Sequence, residues 1–440
     1  MRRHIIRTFI VALLLLPLAP LSSAGAATGT TYHVSCRGWD TSTGKDARWP
    51  WLTLQRASNA ALQPGDTLAL ERGCVWDGER LDAGWHGTPQ NPITITAYGS
   101  GADPIIRNGT YQNLKFTGSY VVAEHLDLDY TNVEQRECGQ YYGTVYGANF
   151  TSGAHHNTIR YSRIRHATAG VHLGVESHSN RVIKNDLIDN WVRQPKVINP
   201  GDILGAWGVV VASDNNEIAH NLFRGNKSSC IEEGIRRIGT SVELWRGDNN
   251  SIHHNWVWGE RVFAELGGSA NDKARNNTFH YNMMISEEQD ARFLIAHGDE
   301  VSFGPTLGTV VDHNSVFLRG EGSDAVVCGS GCDTSVLTLT NNVLDAKRKP
   351  LFTDEPVNER ANVYWSTGAS SPSGVLVQTP TTLRDSFKAD PLFVNRWGGN
   401  LRPGTGSPAI NNGVGGASQD ILGKPSPLGG KHDIGAYEVG

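Results

Sequence analysis

Between residues 155 and 318 the chain repeats one pattern of apolar and polar positions: an apolar strand, an asparagine-bearing turn, an isoleucine or valine, and a second asparagine. It reads HHNTIRYSRI at 155–164, HSNRVIKNDLI at 178–188, DNNEIAHNLF at 214–223, DNNSIHHNWV at 248–257, RNNTFHYNMM at 275–284 and TVVDHNSVFL at 309–318. The second asparagines Asn185, Asn221, Asn255, Asn282 and Asn314 are 36, 34, 27 and 32 residues apart. Such alternation predicts short strands with one buried face. Its repetition predicts that each unit buries that face against its neighbours, because one unit cannot do so alone.

Stacked units pair their strands in parallel at roughly 4.8 Å. Asparagines at one turn position then stack, and bond to backbone groups that would otherwise be buried unpaired. The predicted fold is all-β: a single-domain right-handed parallel β-helix. Glycosylation, the rival reading of asparagines such as Asn157, does not account for the flanking alternation. A β-propeller repeats in units of about 40–50 residues with a different signature. A coil needs only about two dozen residues, so the longer spacings imply insertions, chiefly at 131–147, 191–207 and 226–240.

The ends differ from the middle. Arg2, Arg3 and Arg7, the apolar run Phe9–Leu16 and the small residues Ala24-Gly25-Ala26 predict a secretory leader over 1–27. The apolar run is too short to span a membrane. Residues 28–104 are expected to form an N-terminal cap and first coils. There Leu52, Ala57, Ala60 and Ala61 are spaced like one face of a short helix that ends at Pro64-Gly65-Asp66. Residues 105–388 are the predicted β-helix core, and the Gly/Pro-rich 389–440 a C-terminal coil and cap.

Fifty glycines, 12 tryptophans and modest charge suit an all-β repeat protein. Without the leader's three arginines, 36 basic residues face 44 acidic ones, a net charge of −8. An acidic exported chain is a poor partner for nucleic acid, and no membrane partner is expected. A monomer is expected. Six cysteines in an oxidising compartment predict disulfides. Cys328 and Cys332 are placed as a local staple; for the other four the expectation is Cys36 with Cys74 and Cys138 with Cys230. No cysteine and histidine spacing marks a zinc site, and no metal ligand is assigned.

The cap segment, with the strand PITITAYG that follows it, the asparagine repeats and the closing DPLFVNRWGGN and DIGAYEVG resemble the pectate-lyase-like superfamily of secreted β-helix proteins. The closest flavour is that of single-domain alginate, chondroitin and polygalacturonate lyases. The resemblance implies a groove along the strands that precede the asparagine turns: VHLGVES, GVVVAS, VELWRG, VFAELGG, RFLIAHG and SDAVVCG. It also implies a polysaccharide or oligosaccharide substrate.

Two strands in this region carry a carboxylate. If Val242 and Leu244 point inward, Glu243 and Trp245 point outward; if Ala264 and Leu266 point inward, Phe263 and Glu265 point outward. Acids beside aromatic rings suit a sugar site, where rings stack on sugar faces and carboxyls serve as acid, base or nucleophile. Glu243 and Glu265 are the candidate catalytic pair. Trp207, Glu233, Trp245, Arg246, Arg292, His297, His172 and Asp202 are candidate substrate-binding residues. His220, His254 and His313 precede ladder asparagines and are read as structural. Direct alignment of the glutamates would suit a retaining route, and a one-step offset an inverting one; the sequence leaves this register open.

The superfamily's lyases use a lysine or arginine base, commonly with Ca²⁺, whereas the strands quoted above contain no lysine. The favoured reading is therefore a secreted glycoside hydrolase with no cofactor. The alternatives are a polysaccharide lyase or uronan epimerase, which would bring in Ca²⁺, and a non-catalytic carbohydrate-binding solenoid.

Overall fold

The computed structural model describes residues 29–131, 144–151, 153–191, 206–227 and 239–439. The expected leader, Cys138, Cys230, Asp202 and Glu233 lie outside these residues. The described chain winds through three long parallel sheets. One runs from Thr31–Val34 to Asn358–Arg360, a second from Leu81–Ala83 to Lys349–Thr353, and a third from Val75–Asp77 to Phe387–Lys388. This is the right-handed parallel β-helix that the repeats predict.

The interior is built from columns of like residues in register. In the first sheet Ile159, Val182, Ile218, Ile252, Phe279, Val311 and Leu339 follow one another. In the third, Leu187, Phe223, Val257, Met284, Val316 and Leu344 do the same. All are fully buried, and each such side chain contributes about 1.5–3 kcal/mol by leaving water.

The asparagines hold the corners. Asn185, Asn221, Asn255, Asn282, Asn314, Asn342 and Asn362 form one continuous ladder, each side-chain N–H₂ donating to the next carbonyl at 2.9–3.1 Å. A second ladder includes Asn216, Asn250 and Asn277. A third, Asn190–Asn226, ends on the buried Glu260. The residue before each asparagine of the first ladder turns the corner with positive φ, as at His220 (57°), His254 (55°) and His313 (50°).

The N-terminal helix is shorter than predicted: it spans Leu54–Ser58, with Leu54 and Ala57 buried, and Leu52 is exposed. It packs against Leu81–Ala83, the end strand of the second sheet. Trp76 and Trp85 pin the flanking segment through indole bonds to the Leu52 and Ala60 carbonyls. Cys36–Cys74 and Cys328–Cys332 are both disulfide-bonded. The segment from residue 389 onward packs against the outside of the stack. It lies along the flank of the third sheet, where Phe393, Leu401, Ile434 and Tyr437 cover the outward-facing Met283, Ile285, Phe317 and Val343. Apolar residues on the outside of those strands require that cover.

One expectation is corrected. Phe263 does not point outward: it is fully buried against Phe223, Phe279 and Phe293. Each second-sheet strand bends near its start, and two successive side chains turn inward there, as with Phe263 and Ala264 or Phe293 and Leu294. In earlier coils glycine occupies the bend. A Cβ at Gly208 would stand 2.6 Å from the Phe223 ring, so the large residue comes from the opposite sheet instead.

Candidate active site

The second sheet carries the candidate groove. Beyond the bend its strands alternate normally. Val242, Leu244, Ala264 and Leu266 are fully buried, which leaves Glu243, Trp245 and Glu265 on the outer face. Glu243 pairs directly with Glu265, and Trp245 with Gly267. The two carboxylates therefore rise from backbone positions one strand apart, about 4.8 Å.

Glu243 is half-buried, and it accepts hydrogen bonds from the Thr240 hydroxyl and the Trp207 indole N–H. Burial, followed by the negative charge of Glu265, holds its carboxyl well above the ordinary glutamate value of 4.5, against the opposing pull of those two donors. Glu265 is more open, with 40% of its side chain exposed, and its Oε1 lies 3.9 Å from His297 Nε2. His297 is held by the edge of the Phe303 ring at 4.6 Å. Trp245 is 41% exposed. Its ring lies over Gly267, where a Cβ would stand 3.0 Å from it.

Extending the register of the glutamates gives one outward row across the sheet. On one side stand Val210, His172, Asn149, Lys115 and Asp82; on the other, Ile295, Val327 and Phe352. A chain lying in the groove would meet polar groups on one side of the acids and apolar ones on the other. His172 stacks on Tyr146 at 4.7 Å, and its Nδ1 meets Asn149 Oδ1 at 2.9 Å. Burial lowers its pKa to about 4. It is therefore neutral near pH 7, with Nε2 free to accept a hydrogen bond.

The structure thus gathers Glu243, Glu265, Trp207, Trp245 and His297, with His172 two strands further along. It sends two candidates elsewhere. Arg246 falls in the positive-φ turn beyond the strand (φ 79°) and faces Asp272 at 4.0 Å. Arg292 donates to the Ala291 and Gly322 carbonyls and reaches Asp324 at 3.5 Å. Thr240, Asn149 and Lys115 were missed. The bend at Ser241 reverses the alternation that would have revealed Thr240, and the strand Gln112–Phe116 lies outside the repeats from which the groove was read.

The coupling of the pair has a measurable consequence. A carboxyl with a raised folded-state pKa stabilises the native state below the ordinary glutamate range, and that contribution is lost as pH rises through the elevated value. The melting temperature of Glu243→Gln is expected to fall less than that of the wild type over this window. Glu265→Gln, which removes the neighbouring charge, is expected to shift the window to lower pH.

No protein-family model matches the chain. A stretch of 100 residues is 32% identical to the lacto-N-biosidase of Bifidobacterium longum subsp. longum; it covers 21% of this chain and 6% of that much longer protein. Among solved structures, pectate lyase Pel9A superposes with a TM-score of 0.60 at 15% identity, over 94% of this chain and 98% of the other. A rhamnogalacturonan lyase gives 0.53 at 13% identity, over 83% and 91%. The structure of XylC with xylose gives 0.53 at 11% identity, over 93% and 98%. At these identities the likeness establishes the architecture alone, a parallel β-helix.

Proposed function

We propose that this protein is an exported carbohydrate-active enzyme, a glycoside hydrolase that cleaves an extracellular polysaccharide with retention of configuration. The observation that carries the proposal is the direct register of Glu243 with Glu265 beside an exposed tryptophan. Retaining glycosidases place their carboxyls about 5–5.5 Å apart, close to one strand spacing. Two disulfides fit an oxidising destination.

The environments divide the roles. Glu243, protonated by burial and by its neighbour's charge, gives its proton to the glycosidic oxygen as the bond to the anomeric carbon breaks. Glu265 attacks that carbon and forms a glycosyl ester. Glu243, now a carboxylate, takes a proton from water, which hydrolyses the ester and restores both acids. Trp207 and Thr240 orient Glu243, His297 steadies Glu265, and Trp245 offers a platform for a sugar ring.

The position of the lysines weighs against elimination. Lys115 stands four strands from Glu243 along the row, roughly 19 Å at the usual strand spacing, and Lys349 lies on the last strand of the sheet. The shared stretch with a protein named lacto-N-biosidase also favours hydrolysis.

The test is digestion of a panel of neutral and uronate polysaccharides, following reducing ends and the ultraviolet absorbance of unsaturated uronates, with and without a chelator. New reducing ends without that absorbance, unaffected by chelation, are expected. Unsaturated products would establish a lyase instead; binding with neither signal would establish a carbohydrate-binding solenoid. Trp245→Ala is expected to raise KM about two- to tenfold, corresponding to the ~0.5–1.5 kcal/mol of an aromatic contact, and to change kcat little. Initial-rate kinetics on the best substrate check this.

A further inference from the structure

Away from the groove, the first-sheet turns bring three imidazoles together. One ring nitrogen from each of His220, His253 and His254 lies within 4.8 Å of the others. His220 and His254 occupy equivalent corner positions on successive coils, both with positive φ, and their rings are 4.8 Å apart. His220 and His254 each precede a ladder asparagine, which accounts for them singly as structural residues. Their convergence depends on the stacking of coils.

Two of them have neighbours on the outer side of the ring. His253 Nε2 lies 3.5 Å from the Glu217 carboxylate, which is itself held by Arg181 at 2.6 Å. The backbone of Asp420, from the flanking C-terminal segment, lies beside the His254 ring. The Nδ1 atoms of His253 and His254 face each other at 2.9 Å, so that one shared proton or one metal ion suits the pair. Histidine ligands are typically oriented by a carboxylate or carbonyl on the far ring nitrogen, and Glu217 is placed for that role at His253.

A second H-H-N turn supplies a control. His155 and His156 also present Nδ1 atoms 2.9 Å apart. There the third imidazole, His178, stacks flat on His155 (5.1 Å, 2°), and among the described residues no three-ligand group forms. Convergence of His220 distinguishes the later turn.

We propose that His220, His253 and His254 form a surface site for a divalent transition metal of the zinc class, with a fourth position open to solvent. Three imidazole ligands suit zinc, copper or nickel and not the oxygen-seeking Ca²⁺ or Mg²⁺. Bonds of about 2.0–2.1 Å require ligand nitrogens roughly 3.3 Å apart in a tetrahedral site. Closing from the observed spread falls to His220, the exposed member of the three. The metal would clamp two coils to each other.

The experiment uses tag-free, chelator-treated full-length protein titrated with ZnCl₂ by calorimetry, together with the Co²⁺ absorption spectrum and thermal melting. One equivalent of Zn²⁺ is expected, with a tetrahedral-type Co²⁺ spectrum, a raised melting temperature and no response to CaCl₂. His220→Asn keeps a side chain tolerant of positive φ and is expected to weaken Zn²⁺ binding at least tenfold. Glu217→Gln, which keeps all three ligands, is expected to weaken it about 10- to 100-fold. His156→Asn in the control turn is expected to leave it unchanged. Absence of stoichiometric Zn²⁺ binding by the wild type, undiminished affinity in both His220→Asn and Glu217→Gln, or loss in His156→Asn would each overturn the site. None of these readouts depends on sugar cleavage.

Discussion

Replacing Glu265 with alanine is expected to lower turnover on the order of 10⁴- to 10⁶-fold while leaving the fold intact. Added azide should then restore cleavage, because it fills the space left by the carboxylate and attacks the anomeric carbon from the same face. The product would be a glycosyl azide with the anomeric configuration opposite to that of the substrate. Glu243→Gln should lower kcat by about 10²–10⁴-fold, the usual worth of a positioned general acid. That loss should be smaller on substrates with activated leaving groups, which need no proton. The two variants thus separate the roles, and chromatography of the azide reaction with leaving-group kinetics reads both. Full activity in either variant would remove that glutamate from the mechanism. Neither change should destabilise the protein: Glu265 is open to solvent, and Glu243 carries a raised pKa that a neutral amide relieves. This is the pattern of a site that trades stability for chemistry.

The largest loss of stability is expected at the asparagine ladder. Asn255 is fully buried. It donates to the Ile218 carbonyl at 2.8 Å and to Asn282 Oδ1 at 3.0 Å, and it accepts from the Asn221 backbone N–H at 3.0 Å and its side chain at 3.1 Å. Asn255→Ala takes away the side chain that serves the Ile218 carbonyl and the Asn221 backbone N–H, while Asn282 Oδ1 keeps the backbone N–H of residue 255 and the Asn221 side chain keeps the Val182 carbonyl. A buried orphan costs about 1–3 kcal/mol, so with partial relaxation the loss should be on the order of 4 kcal/mol. Asn255→Asp keeps the shape but removes the donors and buries a charge, so it should fare no better. Urea unfolding followed by circular dichroism checks both. A loss below about 1 kcal/mol for Asn255→Ala would mean that the ladder is dispensable to the stack.

Much of this architecture can be read from the residues, because the repeat is itself a physical requirement. Asn185 to Asn314 recur where buried turn backbone needs a partner, and Val242, Leu244, Ala264 and Leu266 alternate where a strand needs a dry face. Glu243 and Glu265 stand out against that background as outward acids. Their register could not be read, since the insertions between coils change the spacing without changing the stacking. The bend at Ser241 and Phe263 was equally hidden. It reverses alternation for geometric reasons at a corner, so Phe263 was assigned the wrong face and Thr240 escaped notice. Arg246 and Arg292 show the same limit: the backbone φ of one and the Asp324 partner of the other direct them into structural ties. The third ladder was missed because its last member is Glu260 instead of asparagine. The histidine cluster depends on which corners stack, which no local pattern records.

The most direct test of the paired-carboxylate account is the anomeric configuration of the first product, followed by proton NMR on a fresh digest before mutarotation. Glutamates in direct register predict that the product first appears with the configuration of the cleaved bond and only later equilibrates. A first product of the opposite configuration would contradict the account, because it would require a water between the two carboxylates. An unsaturated product with no hydrolysis would contradict it more completely, because the reaction would then need a base that neither Glu243 nor Glu265 is proposed to supply.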